Sequence, residues 1–216
     1  EHKLLTFSCA RLFRDDLNLA GEIRKLAAYP RDVWLYLIYS DWSAVAEERA
    51  FVKRTADRGD DLGSRIVAAR IAHRLMHLAF LYEKRFAPYS KWFGTAFREL
   101  DAYPALEPML ARALHAHDKE ERELSIARAQ AILMEIHNES GLTPPVDPCI
   151  RFYYTRDIKV VSCDEVAEAV HDLIGDAALK ALPPIGARSS VGNLTALCEN
   201  AEHFARLTAL YRPDFA

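Results

Sequence analysis

The segment that decides the fold is residues 59–86, which read GDDLGSRIVAARIAHRLMHLAFLYEKRF. Its apolar residues recur at steps of three and four and form one continuous stripe: Val67, Ile71, Leu75, Leu78, Tyr82 and Phe86. A second apolar row runs beside the first: Leu62, Ile66, Met76 and Phe80. A helix that is apolar over more than one face is predicted to lie at the centre of a bundle, and Pro88 is predicted to end it.

The segment before Gly59 has the same periodicity and predicts one long amphipathic helix from Asp32 to Arg58. Tyr29-Pro30 marks its entry, because the residue before a proline avoids the helical region and proline is tolerated in a first turn. Gly59 is expected to close this helix, and Asp60 or Asp61 to cap the next one. The two helices therefore predict an antiparallel helical hairpin.

The remaining chain predicts an all-α, multi-helix bundle that contains this hairpin. Further helices are predicted at residues 91–100, 106–116, 119–137, 164–174 and 193–211. Residues 150–161 alternate after a stretch rich in glycine and proline, and they predict a short extended segment or β-hairpin. Three parts are expected: a connecting segment with a first helix (1–28), the bundle core (29–140), and a C-terminal extended segment plus helices packed on the same core (141–216).

Composition narrows the class of protein. The chain has 216 residues, of which 50% are hydrophobic, and a formal net charge of −3, so it can bury a core and has no overall basic surface for nucleic acid. Nucleic acid is therefore an unexpected partner, and any anion site must be local.

No apolar run approaches the roughly 20 residues of a membrane span, so no membrane contact is expected. Cys9, Cys149, Cys163 and Cys198 are widely dispersed, which favours reduced thiols and a cytoplasmic location.

The start of the central helix is a candidate anion site. Asp60 and Ser64 stand at a helix N-terminus, where free backbone N–H groups bind anions, and Gly63 would let a ligand approach closely. The alternative interpretation is an ordinary capped helix joined by a tight turn.

Basic residues continue along the same helix. Arg70, Arg74 and His77 lie at helical steps on one side, and such a stripe could hold a phosphate or a carboxylate through bidentate contacts. The alternative is a solvated face, or ion pairs with Glu47 and Glu48 of the preceding helix.

Residues 86–97, FAPYSKWFGTAF, form the least generic stretch of the chain. Tyr89 and Trp92 could wall a pocket on which a flat ring stacks, with Lys91 as a cation at its rim. Core packing alone is the alternative, although it would not require a lysine among the aromatic residues. Pocket and core both stay open at this point.

The histidines give weaker indications. His73 and His77 are spaced for joint metal binding and residues 115–118 form a second cluster, but neither brings a third ligand at a recognised spacing. No metal site is therefore predicted. His137-Asn138 closes a helix, and it suits a C-terminal cap as well as it suits a ligand contact or catalysis.

Three stretches together resemble a single family: residues 29–34 (YPRDVW), 59–64 (GDDLGS) and 88–97 (PYSKWFGTAF). It is the uncharacterised helical domain of unknown function that follows a nucleotidyltransferase-like domain in bacterial and fungal proteins. His137-Asn138 and residues 182–186 are similar to later landmarks of that family, and residues 4–13 look like the segment that joins the two domains. The resemblance spans most of the chain.

The resemblance implies a helical domain that completes a substrate pocket against a nucleotidyltransferase-like domain. The expected ligand-binding residues are Asp60, Ser64, Arg70, Arg74, Tyr89, Lys91, Trp92, His137 and Asn138. The chain carries no Asp-x-Asp pair on a strand, so it is not expected to be catalytic by itself. No cofactor is expected within it, and Mg²⁺ with a nucleoside triphosphate is expected only where the transferase domain is present.

The partners expected on this hypothesis are an upstream nucleotidyltransferase-like domain and a small anionic ligand. The alternative, from a different class, is a non-catalytic protein interaction or dimerisation module that buries residues 89–97. The oligomeric state stays open between the two.

Overall fold

The computed structural model describes residues 1–187 and 200–211, and it confirms an all-α bundle with one short β-hairpin. The elements are α1 (His2–Ser8), α2 (Leu19–Lys25), α3 (Arg31–Glu48), α4 (Phe51–Ala56), α5 (Asp61–Tyr82), α6 (Ser90–Phe97), α7 (Tyr103–His115), α8 (Lys119–Glu139), β1 (Arg151–Tyr153), β2 (Arg156–Val160), α9 (Cys163–Asp172), α10 (Ala177–Lys180) and α11 (Ala201–Arg206), which a 3-10 helix (Leu207–Tyr211) follows. Residues 193–199 of the last predicted helix lie outside the described residues, as does Cys198.

Helix α5 lies at the centre of the bundle, as predicted, although of its second apolar row only Phe80 is buried, while Leu62 and Ile66 are exposed. It packs against α3, α4, α7 and α8, while α9 covers the other side of α3. Its stripe residues Val67, Ile71, Leu75 and Leu78 are all buried in the main core. Burial of this stripe removes apolar surface from water and thereby stabilises the bundle.

Two helix boundaries differ from the sequence prediction. The helix predicted from Asp32 to Arg58 is divided at Arg49 and Ala50 into α3 and α4, where Ala50 packs beneath the β-hairpin. Helix α5 ends at Tyr82 rather than at Pro88, because Lys84 adopts a left-handed conformation with φ 55°. The Arg85 N–H then reaches back to the Phe80 carbonyl at 2.9 Å, a hydrogen bond that closes a Schellman-type helix end.

The β-hairpin docks on the helices by one face. Its strands are antiparallel, with Arg151 opposite Val160 and Phe152 opposite Lys159. Ile158 and Val160 point inward onto Ala50. The hairpin thereby lies across α4 and α8, and this position brings residues about 100 apart in sequence to one groove.

The N-terminal arm, residues 1–28, packs differently from the bundle. It contains α1 and α2, and none of its residues is buried as a whole. Leu17 and Phe13 in the connection between these two helices are almost fully exposed. None of the described helices is long and apolar enough to cross a membrane.

Candidate functional site

The start of α5 is held by internal contacts. The Asp60 carboxylate caps the helix by accepting a hydrogen bond from the Gly63 N–H at 2.7 Å. The Ser64 side chain is buried, and its hydroxyl donates to the Val52 carbonyl at 2.7 Å, which ties α5 to α4. Both contacts belong to the capped-helix interpretation of this stretch.

Arg122 of α8 also contacts the start of α5. No sequence motif singled out this residue. Its guanidinium is fully buried and donates to the Ser64 hydroxyl at 2.8 Å, to Asp61 at 2.6 Å and to the Ala116 carbonyl at 3.0 Å. A buried guanidinium with several acceptors joins the elements that supply them. Arg122 thus ties α8 to the start of α5 and the end of α7.

The basic stripe on α5 meets carboxylates of α3. Arg70 forms a two-point ion pair with Glu48, at 2.5 and 3.1 Å, which is one of the two carboxylates that the ion-pair alternative named. Arg74 donates to buried Asp41 at 2.8 Å, and the other Asp41 oxygen contacts His77. Both arginines therefore neutralise an acid of the neighbouring helix.

The aromatic stretch at α6 is divided between core and surface. Phe86, Phe93 and Phe97 are buried, whereas Tyr89 and Trp92 are exposed, Trp92 to 49%. The Lys91 ammonium lies 5.1 Å from the centre of the Trp92 ring, so the lysine and the exposed indole form one cation–π contact. Tyr89 also contacts the ring of His2 edge-on, with 5.9 Å between the ring centres.

His137 belongs to a directed chain of hydrogen bonds through the core. Trp42 Nε1 donates to the Tyr82 hydroxyl at 2.8 Å, and that hydroxyl lies 2.9 Å from His137 Nδ1. His137 Nε2 lies 2.7 Å from the Thr143 hydroxyl, which itself donates to the Pro144 carbonyl. Because each hydroxyl supplies one proton, the chain assigns an acceptor role to Nδ1 and a donor role to Nε2.

This chain requires a neutral imidazole at His137. A proton on Nδ1 would face the Tyr82 hydroxyl proton, and burial lowers the pKa of His137 to about 4. Asn138, next along α8, exchanges two hydrogen bonds with the backbone of Val146, at 2.8 and 2.9 Å. Both side chains fix the chain beyond α8.

A surface groove between α4 and the β-hairpin carries charged side chains that are open to solvent. Its volume is about 780 Å³, and its lining comprises Phe51, Lys53, Arg54, Thr55, Asp57, Arg58, Asp60, Arg156, Asp157 and Ile158. We call it the α4–hairpin groove. Its lining brings residues 51–60 of the first half of the chain to residues 156–158 of the hairpin.

Three guanidiniums of the groove, Arg54, Arg58 and Arg156, make no ion pair with any residue in the described parts of the chain. We call them the groove arginines. All three are exposed, and the guanidinium of Arg54 lies 5.4 Å from the centre of the Phe51 ring. An unpaired guanidinium offers planar, forked donors that match phosphate and carboxylate oxygens.

The acids of the groove do not neutralise these arginines. Asp57 accepts hydrogen bonds from Lys119 and Lys53, at 2.7 and 3.0 Å, and those bonds lower its pKa. Burial lowers the pKa of Lys53, but the hydrogen bond from its ammonium to Asp57 and the nearby charges outweigh this, and the pKa is raised. Since Asp60 is engaged as the helix cap, Asp157 is the acid of the lining without such a contact.

Sequence reasoning missed the groove arginines. Lys53, Arg54 and Arg58 do form a basic cluster at the end of a predicted helix, and that cluster was an available signal. Arg156 lies in a segment recognised only by its alternation, and its proximity to α4 depends on the docking of the hairpin. The groove includes Asp60, whereas the other predicted ligand-binding residues lie elsewhere.

Among residues 1–187 and 200–211, no group of three or more His, Cys, Asp or Glu side chains could hold a metal ion.

Comparison with known proteins gives one similarity. No curated protein and no solved structure matches the chain. Residues 1–93 match the family model described as Domain of unknown function (DUF4037). Over α1 to the first half of α6 the chain is therefore similar to an uncharacterised domain, while the nucleotidyltransferase-like neighbour stays a prediction.

Proposed function

We propose that this chain is the substrate-contacting helical part of a nucleotidyltransferase-like protein and that it binds a phosphate-bearing substrate in the α4–hairpin groove. The observation that carries the proposal is the convergence of the three groove arginines without carboxylate partners. Unpaired guanidiniums in one groove favour a ligand with several anionic oxygens over a neutral one.

The shape of the groove supports a nucleotide-sized ligand. Its volume of about 780 Å³ lies within the usual range for small-molecule sites, roughly 300–1,000 Å³. Phe51 adds an aromatic surface beside Arg54, on which a base could stack. The groove arginines would hold the phosphates, and chemistry would require metal-binding acids from the other domain.

Two further sets of predicted residues could extend this contact. Tyr89, Lys91 and Trp92 form an exposed aromatic and cationic surface that suits a flat ring. Arg70 and Arg74 could contribute only if a ligand replaced Glu48 and Asp41 as their acceptors. The groove is accordingly the first place to test.

The experiment is a calorimetric titration of the chain with ATP, CTP, GTP and sodium tripolyphosphate at low salt. We expect binding of all four, weakened by added NaCl, and at least about tenfold weaker binding by Arg58→Gln. Arg98→Gln is the matched control, because Arg98 is exposed and makes no ion pair with a described residue. Lys91→Ala tests the α6 surface separately.

Unchanged affinity in Arg58→Gln and in Arg156→Gln would contradict the groove as the binding site. Loss of binding in Lys91→Ala alone would move the site to α6. A preference for one nucleotide over tripolyphosphate would assign part of the affinity to the base rather than to the phosphates.

The second candidate function is an interaction or dimerisation module, and a particular surface favours it. Leu62 and Ile66 on α5 are 70% and 49% exposed, and Leu114 of α7 is exposed close by, where its carbonyl accepts from Arg65 at 3.4 Å. Trp92 adds apolar area at α6. Light scattering separates the two functions. A stable dimer that dissociates into monomers on Trp92→Ala or Leu62→Asp would favour the interaction module.

A further inference from the structure

A buried carboxylate of the N-terminal arm occupies a polar pocket in the bundle. The Glu1 side chain is 8% exposed, and one of its oxygens lies 2.6 Å from the Tyr29 hydroxyl and 2.8 Å from His77 Nε2. Both partners belong to the body of the fold. We call this cavity the Glu1 pocket.

The pocket is organised behind His77 by two further charges. His77 Nδ1 contacts the Asp41 carboxylate, whose other oxygen accepts from Arg74 at 2.8 Å. Asp41 is buried, so it fixes the orientation of the imidazole and directs Nε2 toward the ligand position. Asp41 and Arg74 are thus positioning residues, and Tyr29 and His77 are the contacts.

The charges around His77 favour an anion at the position of Glu1. Burial lowers the pKa of His77, but the charges of Asp41 and Glu1 and their hydrogen bonds outweigh it and raise the pKa to about 10. Arg74 and His77 therefore face two carboxylates, those of Asp41 and Glu1. Two donors of positive character beside one remaining carboxylate favour a negatively charged occupant at the position of Glu1.

The present occupant belongs to the N-terminal arm. Glu1 inserts its side chain, whereas no residue of the arm from 1 to 28 is buried as a whole. Beside the pocket, Tyr29 packs edge-on against Phe86, and the ring of His2 packs against Tyr89. Phe86 thus supports the contact residue Tyr29, and Tyr89 supports the arm residue next to Glu1.

We propose that the Glu1 pocket is a carboxylate-binding site for a small organic acid, and that the Glu1 side chain stands in it for the carboxylate of that ligand. The proposal is independent of the α4–hairpin groove, which is built from other residues. Displacement of the arm would open the pocket, and the ligand carboxylate would take the two hydrogen bonds from Tyr29 and His77. The pocket residues Tyr29, Asp41, Arg74 and His77 all lie within the segment that matches the family model.

The test uses acetate, which has the size of the group that Glu1→Ala removes. We expect sodium acetate to raise the melting temperature of the Glu1→Ala chain saturably, by about 3–5 °C at ten times its Kd, relative to equal NaCl. In histidine-labelled protein, the His77 signal should move with the same midpoint. Wild-type protein should need at least tenfold more acetate, because Glu1 competes for the pocket.

Glu22→Ala, which removes an exposed acid of the same arm, is the matched control and should show no acetate response. The double variant Glu1→Ala/His77→Gln should also lose the response. Should Glu1→Ala fail to fold, Glu1→Gln keeps the volume of the side chain and allows the same titration. Acetate acting no differently from chloride, or acting equally on wild type and Glu1→Ala, would overturn the proposal.

Discussion

Arginine has two different roles in two neighbouring regions of this molecule. Arg122 lies beneath the start of α5, fully buried, and each of its terminal nitrogens has an acceptor. The groove arginines lie at the surface, on α4, just after it and on the β-hairpin. None of them pairs with an acid in the described parts of the chain. The terminal nitrogens of the buried guanidinium are engaged within the fold, and its Nε, which lacks a hydrogen-bond partner, is out of reach of a ligand. An exposed, unpaired guanidinium is accessible to one. Role follows from the partners rather than from the residue type.

The largest effect is expected from removal of the buried guanidinium. Arg122→Ala leaves a cavity and removes three hydrogen bonds between elements, so we expect the free energy of unfolding to fall by about 3 kcal/mol. Urea denaturation measures it. Arg128→Ala on the same helix is the control, because Arg128 is exposed and should change stability by less than about 0.5 kcal/mol. Equal losses for both variants would break the distinction between the two roles.

A second effect is expected from pH, through His137. Its pKa in the folded state is about 4, below the ordinary value of 6.5, so the unfolded chain binds more protons between these values. Stability is therefore fully present above pH 6.5 and is lost as pH falls toward 4, by about 3 kcal/mol. The difference in urea stability between wild type and His137→Gln, followed from pH 7 to 4, isolates this contribution. A pH-independent difference would show that His137 is not held neutral.

Two glycine-to-alanine substitutions are expected to change stability by less, and in opposite directions. A Cβ on Gly63 would lie 2.1 Å from the Asp60 carboxylate, whereas a Cβ on Gly94 would meet nothing within 4 Å. We expect Gly63→Ala to displace the cap and destabilise the protein by about 1 kcal/mol, and Gly94→Ala to stabilise α6 by about 0.5 kcal/mol. Thermal denaturation of both variants checks the signs. A stabilising Gly63→Ala would mean that the Asp60 cap contributes little.

The fold was largely predictable because its signals are local. The apolar stripe of α5 predicts its central position, and the alternation of residues 150–161 predicts the hairpin. The division between α3 and α4 was not predictable from a proline or glycine, since neither occurs at Arg49-Ala50. At that break Ala50 packs against Ile158, more than 100 residues away, a contact that local sequence does not show.

The candidate site was less predictable because charge roles depend on distant partners. Arg70 and Arg74 were expected as ligand contacts, yet they meet Glu48 and Asp41, and helical spacing alone could not reveal these pairs. Arg122 did carry a signal, since it stands on the same face of α8 as buried Ile126 and Leu133. A basic residue on an apolar face indicates a buried ion pair, and this rule would have separated Arg122 from the surface arginines.

The most direct test measures stability and binding in the same protein. In the triple variant Arg54→Gln/Arg58→Gln/Arg156→Gln, we expect the free energy of unfolding to stay within about 0.5 kcal/mol of wild type. Tripolyphosphate affinity at low salt should fall by more than about a hundredfold. Retained affinity, or a loss of stability comparable to that of Arg122→Ala, would contradict the assignment of the groove arginines to ligand binding.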